Sequence, residues 1–230
     1  MRYAATVVLT ATLGITGAAQ APPPASTHLE SLLAAMGGRD AWARVTGMRI
    51  LATHHDANLP VPFENVIVND FGQPQVRIEA RGQGYVRLRA LSGTAGWRSD
   101  GQSSTPLEPD RVRDEQRWWE ANVYRTLARL ARGDASLRVE WMAPDRLVIS
   151  RDDGTRLNWF RLNARHEPVA FGTWDSDVGT IFGPLANGPA GIRYPKWGAS
   201  PDGRWRYEVD RVTTFAGAVN IDVTQPTASR

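Results

Sequence analysis

His54-His55-Asp56 is the run in this chain whose side-chain types most suggest chemistry, because two imidazoles and a carboxylate are metal ligands and acid–base groups by type. If Met48–Asp56 is a strand, however, successive side chains point to opposite faces. His54 and His55 then cannot both reach one metal ion, and a zinc site would have to recruit His28 or His166 from afar. The simpler reading is a pair of polar residues at a strand end. A serine nucleophile fares no better. Ser92, Ser99, Ser103 and Ser104 sit in turn-like contexts, and none lies in a G-x-S-x-G elbow. Asp152-Asp153-Gly154 and Asp175-Ser176-Asp177 have calcium-ligand types without the twelve-residue loop spacing, and they fit hairpin turns. Glu108, Asp110, Asp114 and Glu115 gather where a helix would start, which suits the helix dipole without paired-carboxylate catalysis. Cysteine is absent, which removes disulfides, thiolate metal sites and a cysteine nucleophile. The expectation is a chain with no catalytic group, no metal and no cofactor; a secreted hydrolase is the weakest of the functional alternatives.

The elements that hold these residues are mostly strands. Ala21–Ser26 is a proline-rich lead-in. Thr27 and Glu30 have capping-box spacing, and Leu29, Leu32, Leu33 and Met36 follow on one helical face until Gly37-Gly38. Arg39–Val45 reads as a short helical turn. From Gly47 the period becomes two. Strands are predicted at Met48–Asp56, Phe63–Asp70, Gln75–Arg81 and Tyr85–Leu91, with a small hairpin around Asp100-Gly101. In the third and fourth of these, Val76, Ile78, Ala80, Val86, Leu88 and Ala90 are expected on a dry face, and Arg77, Glu79, Arg81, Arg87 and Arg89 on a wet one. Asp110 to about Ala131 is the long helical segment, with a break possible near Asn122. Strands resume at Ser136–Met142, Arg146–Arg151, Thr155–Leu162, Val169–Trp174, Val178–Phe182, Gly191–Trp197 and Arg204–Phe215, and a short one is expected at Val219–Val223. About ten to twelve strands are anticipated in a sandwich, a barrel or a strongly curved sheet.

Composition narrows the class. With 230 residues, 42% hydrophobic and 22% charged, the chain is globular, and its length suits a single domain. The net charge of +3 comes from interleaved arginines; Lys196 is the only lysine, and no like-charge run offers a nucleic-acid footprint. Residues 2–19 pair one arginine with an apolar stretch and small residues, the layout of a cleaved export signal ending near Ala19 or Ala21. The stretch is too short, and too rich in threonine and glycine, for a transmembrane anchor. The expected organisation is a signal peptide at 1–19, the lead-in at 20–26, one domain at 27–224 and a tail at 225–230, with the mature protein periplasmic and monomeric.

The order of elements resembles the periplasmic lipoprotein-carrier superfamily of the LolA and LolB type. The resemblance rests on the helix ending MGGRDAW (Met36–Trp42), VTGMRI (Val45–Ile50) leading into the first strand, the hairpin QVRIEARGQGYVRLRA (Gln75–Ala90), GTAGWRSDG (Gly93–Gly101), the helical block opened by PLEPDRV (Pro106–Val112), and GIRYPKWG (Gly191–Gly198) before the last long strand. It implies an α+β fold in which a curved antiparallel sheet forms an incomplete, half-open β-barrel with a helical lid. It also implies a cavity for acyl chains between sheet and helices. Without cysteine for lipidation, only the soluble type applies.

On that fold the dry face of the sheet would carry Ile50, Ile78, Leu88, Trp97, Leu137, Val139, Trp141 and Phe171, and the helical insert would add Trp119, Val123 and Leu127. These eleven residues are the expected wall of a ligand cavity. The competing expectation is that they fill a closed core, since protein interiors pack with few voids. The function expected is exported, non-catalytic binding of a lipid or lipidated protein; the alternative is an envelope regulatory or structural protein with a protein partner.

Overall fold

The computed structural model describes residues 23–173 and 176–226. The expected signal peptide, Trp174 and Asp175, and the last four residues of the tail lie outside the described residues.

Helix α1 (Ala25–Ala35) starts directly after Pro24, which occupies the cap position with an extended backbone. The Thr27 N–H donates to the Pro24 carbonyl at 2.9 Å, so Thr27 lies inside the first turn and the expected capping box does not form. Pro24 already supplies the cap geometry, and Ala25 and Ser26 pass from the lead-in into the helix. Leu32, Leu33 and Met36 are fully buried on the face read from the sequence. Gly37 and Gly38 then turn the chain at φ 107° and 102° into α2 (Arg39–Ala43). Trp42 of α2 is fully buried, and its indole N–H donates to the Met36 carbonyl at 2.8 Å.

The strands are β1 (Gly47–Asp56), β2 (Phe63–Asp70), β3 (Gln75–Gly82), β4 (Tyr85–Ser92), β5 (Ala95–Ser99) and β6 (Ser104–Pro106). After α3 (Pro109–Glu120) and α4 (Val123–Ala131) come β7 (Leu137–Met142), β8 (Arg146–Arg151), β9 (Arg156–Leu162), β10 (Pro168–Thr173), β11 (Thr180–Phe182), β12 (Leu185–Asn187), β13 (Arg193–Pro195), β14 (Trp197–Ala199) and β15 (Trp205–Phe215). Thirteen of them form one antiparallel sheet in the order β6-β5-β4-β3-β2-β1-β15-β14-β11-β10-β9-β8-β7, and β12 and β13 form a separate ribbon. The total exceeds the ten to twelve expected because short strands are added. The stretch predicted as one strand at Gly191–Trp197 divides between β13 and β14, and β12 precedes it. The long pairing of β1 with β15, from Gly47↔Phe215 to Asp56↔Trp205, joins the two ends of the chain at the middle of the sheet. The edge strands β6 and β7 do not meet, so this α+β sheet is curved but not closed into a barrel.

Helices cover one face of the sheet. There, α1, α2 and α4 pack on β7, β8 and β9 in a core that includes Leu32, Trp42, Leu127, Leu147, Ile149 and Phe160. Separately, α3 packs Val112 and Trp119 on Val76 and Ile78 of β3 and Leu91 of β4. The outer face has its own cover. Val219–Val223, predicted as a strand, forms no ladder. It runs over the outer face as a strap: Trp97 donates its indole N–H to the Val223 carbonyl at 2.7 Å, and Arg77 donates to the Asp222 carbonyl at 2.7 Å.

The turn after α1 is the tightest backbone passage that sets a helix in place. A Cβ on Gly37 would lie 2.3 Å from the Gly191 carbonyl oxygen, whereas one on Gly38 would meet nothing within 4 Å. Both residues hold positive φ, which costs a non-glycine residue on the order of 1–3 kcal/mol. Gly37→Ala is therefore expected to destabilise clearly more than Gly38→Ala in urea melts. Equal losses would show that the close approach to residue 191 plays no part.

Candidate functional site

The two helical covers leave the middle of the sheet only partly roofed. Between them lies a cavity of about 280 Å³, floored by β1, β2 and β15, bounded on one side by β10 and β11, and roofed by the α3–α4 junction. That volume is near the lower end of the roughly 300–1,000 Å³ typical of small-molecule sites.

The roof is built from the junction itself. Asn122 ends the helical segment's first half and caps its second, its side-chain oxygen accepting from the Tyr124 and Arg125 amides at 3.1 and 3.2 Å. The break allowed for in the sequence is thus real and splits the segment into α3 and α4. Two buried side chains hold the junction down. Arg125 donates to the Phe71 carbonyl at 3.0 Å and the Glu120 carbonyl at 3.1 Å, with its guanidinium 3.8 Å from the Trp119 ring centroid. Burial lowers its pKa to about 10, which still leaves it charged at neutral pH. From the opposite half of the sheet, Asn158 of β9 donates to the Ala121 carbonyl at 3.1 Å and the Thr126 hydroxyl at 2.6 Å.

Of the eleven residues expected to form the wall, Ile50, Ile78, Val123 and Phe171 line this cavity. The other seven stand elsewhere. Trp119 and Leu127 are buried in the two packed cores beneath α3 and α4. Leu137, Val139 and Trp141 of β7 pack against the far end of the larger core, where Trp141 stacks on His28 at 3.6 Å between ring centroids. Leu88 and Trp97 face the outer side and pack with Ala90 under the C-terminal strap. The cause is register. Ile78 pairs with Arg89 and Val76 with Leu91, so the odd-numbered residues of β4 face the helices. Arg89, expected on the wet face, lines the cavity instead, paired to Glu115 of α3 at 2.7 Å. Burial raises the Glu115 carboxyl above its usual range.

Several lining residues carry polarity. On β2, Phe63, Asn65, Ile67 and Asn69 share one face by strand alternation, and Asn65, Ile67 and Asn69 line the cavity. Asn65 and Asn69 are 9% and 3% exposed. Next to them on β1, His54 faces inward and is buried while His55 is exposed, the opposite-face placement that strand geometry requires. His54 contacts the Asn65 side-chain nitrogen through its Nε2 at 3.2 Å. Around it stand Phe63, Trp205 and Tyr207 at 5.2, 5.5 and 5.7 Å between centroids. Tyr207 fits because its strand partner is Gly198, where a Cβ would come within 2.4 Å of the tyrosine ring. Burial, with a smaller contribution from His55, lowers the His54 pKa to about 4. A neutral Nε2 then accepts the Asn65 amide hydrogen. Among the described residues no group of three or more His, Asp or Glu side chains is gathered to hold a metal ion, and no helix is long and apolar enough to cross a membrane.

No protein-family model matches the sequence, and no curated protein is significantly similar to it. Among solved structures, the chain is similar to a domain provisionally called an outer membrane lipoprotein-sorting protein from Vibrio parahaemolyticus, at 10% identity and a TM-score of 0.42, over 85% of this chain and 95% of that one. It is also similar to a DUF1329 family protein from Desulfovibrio piger, at 9% identity and a TM-score of 0.38, over 86% and 96% of the two chains.

The buried histidine makes stability depend on pH in a definite direction. Between about pH 6.5 and 4 the unfolded chain takes up a proton at residue 54 that the folded chain refuses, so stability falls as pH falls through that window. From pH 7 to 5, His54→Gln is expected to lose about 2 kcal/mol less stability than the wild type. Parallel losses in urea melts at the two pH values would show that residue 54 is not held neutral.

Proposed function

We propose that this chain is an exported, non-catalytic binding protein that holds an acyl chain, free or as part of a lipid or lipidated protein, in the cavity beneath the α3–α4 junction. The observation that carries this reading is the largely apolar space itself: Ile50, Ile67, Ile78, Val123, Phe171 and Phe182 converge on it from strands and helix. Each methylene buried there would supply about 0.8 kcal/mol before ordering and association costs. The residues with acid–base character at the site support holding rather than turnover. His54 is engaged by an asparagine amide, and the Glu115 carboxylate is engaged by Arg89. An envelope location for the mature chain accords with the export-signal layout of residues 2–19.

Two measurements test the reading. Native mass spectrometry of protein purified from its export compartment should show a population heavier than the polypeptide by a lipid mass, and a pyrene-labelled long-chain ester should bind and be displaced by unlabelled ester. Ala52 is 3% exposed and lines the cavity, so Ala52→Phe should fill the space, weaken probe binding at least tenfold and leave the urea midpoint nearly unchanged. In a closed core the same change would instead destabilise by about 1–3 kcal/mol. Overpacking of that size, with no probe bound by the wild type, would sink the proposal.

A further inference from the structure

The register of β4 turns more than Arg89 toward the helical side of the sheet. Strand alternation puts Arg87 on the same face, two residues away. On β5, Trp97 packs beneath the outer strap, so Arg98 beside it faces the inner side as well. Arg89 and Arg98 are direct cross-strand partners, and the next partner in line is Thr105 of β6. A row of Arg89, Arg98 and Thr105 therefore crosses three strands, with Arg87 on its flank. Directly opposed residues stand about 4.5–5.5 Å apart at Cβ, and like charges opposed in this way destabilise a sheet.

This patch lies open. Helix α3 covers Val76, Ile78 and Leu91 of the same face, whereas Arg87, Arg98 and Thr105 are exposed and none of the three lines the cavity. Counter-charge is short. Glu115 is paired to the patch, and it meets Arg89. Among the described residues no carboxylate oxygen stands within 4.0 Å of the Arg87 or Arg98 guanidinium. The acids next to these elements in sequence serve elsewhere. Asp100 accepts from the Gln102 and Ser103 amides at 2.9 and 2.8 Å, and Asp114 pairs with Arg111 at 3.4 Å. Aromatic rings support two of the cations: Arg87 lies over Tyr85 at 5.4 Å and Arg89 over Trp118 at 5.7 Å.

The donors set the shape of the anion that would relieve this repulsion. A single guanidinium fork already satisfies both oxygens of a carboxylate. Two forks side by side on rigid strands, with a hydroxyl beyond them, call for more oxygens and more charge. A phosphate monoester supplies three acceptor oxygens and a charge of about −1.5 to −2. We propose that Arg87, Arg89, Arg98 and Thr105 form a binding site for a phosphate group on the uncovered inner face of β4, β5 and β6. The site stands apart from the acyl-binding reading and does not depend on what the cavity holds. A soluble phosphate ester and a phospholipid surface share this chemistry.

The test titrates the full mature protein calorimetrically with glycerol 1-phosphate and with acetate, at pH 7.5 and constant ionic strength. In parallel, the protein is sedimented with phosphatidylcholine vesicles that contain phosphatidylglycerol. Wherever a phosphate source binds, Arg98→Gln is expected to weaken it about fivefold or more, and Arg211→Gln, at an exposed arginine of β15, less than about twofold. Glycerol phosphate binding about tenfold or more tighter than acetate, with vesicles ignored, would support the site and make its source a soluble ester. Vesicle binding that Arg98→Gln abolishes and Arg211→Gln keeps would support it with a lipid source. No binding in either arm, acetate binding as tightly as the phosphate ester, or equal losses in the two variants would overturn it. Because Arg98→Gln removes an opposed like charge, its urea midpoint should hold or rise. A lowered midpoint with phosphate binding unchanged would make Arg98 a packing residue and sink the site. Binding of the pyrene-labelled ester should be the same in Arg98→Gln as in the wild type, so a failed phosphate site leaves the acyl reading to its own test.

Discussion

The architecture depends on the way one helical segment is made to stop and restart over the middle of the sheet. A continuous helix from Pro109 to Ala131 would be a rigid rod, and it could follow the curvature of only one part of the inner face. Asn122 divides it by capping α4, and Arg125 and Asn158 tie the division to opposite halves of the sheet, at Phe71 and at β9. Each half of the segment can then lie on its own set of strands: α3 on β3 and β4, α4 with α1 and α2 on β7 to β9. The unroofed space between them is a consequence of that division. It falls where β1, β2 and β15 meet, at the long seam that joins the first strand to the last.

The seam is more polar than most of the inner face. On β8 and β9, Leu147, Ile149 and Phe160 are fully buried, with Asn158 the buried polar exception. The inner face of β2 sets asparagines where aliphatic residues would pack, and β1 ends its apolar row at His54.

Much of the framework could be read from the chain. Period-two runs from Gly47 onward place most of the strand boundaries within one or two residues of those observed, and Leu32, Leu33 and Trp42 occupy the core positions their spacing implies. The cavity wall was legible only in part, for two physical reasons. First, an apolar residue can be buried on either face of a sheet whose outer side is covered by its own C-terminal segment. The apolar row of β4 satisfies itself beneath that strap, and the hairpin register, which alternation alone does not fix, turns Arg89 inward. Second, hydrophobicity finds packed cores and cavities equally well, so Leu127, Trp119 and the β7 residues looked like lining although neighbours fill the space around them. The residues that a search for apolar wall passes over are Asn65 and Asn69, which share a strand face with Phe63 and Ile67 and line the cavity.

The same division bears on where an arginine-rich chain puts its charge. Several of its cations are engaged where they stand. Arg77 lies against Glu79 on the outer face, Arg129 holds Asp134 beside the end of α4, Arg125 is spent on backbone carbonyls, and Arg89 meets Glu115 at the edge of the roof. The lining cation Arg89 is thus paired, and burial keeps His54 neutral, so the cavity wall carries no unpaired ionic charge.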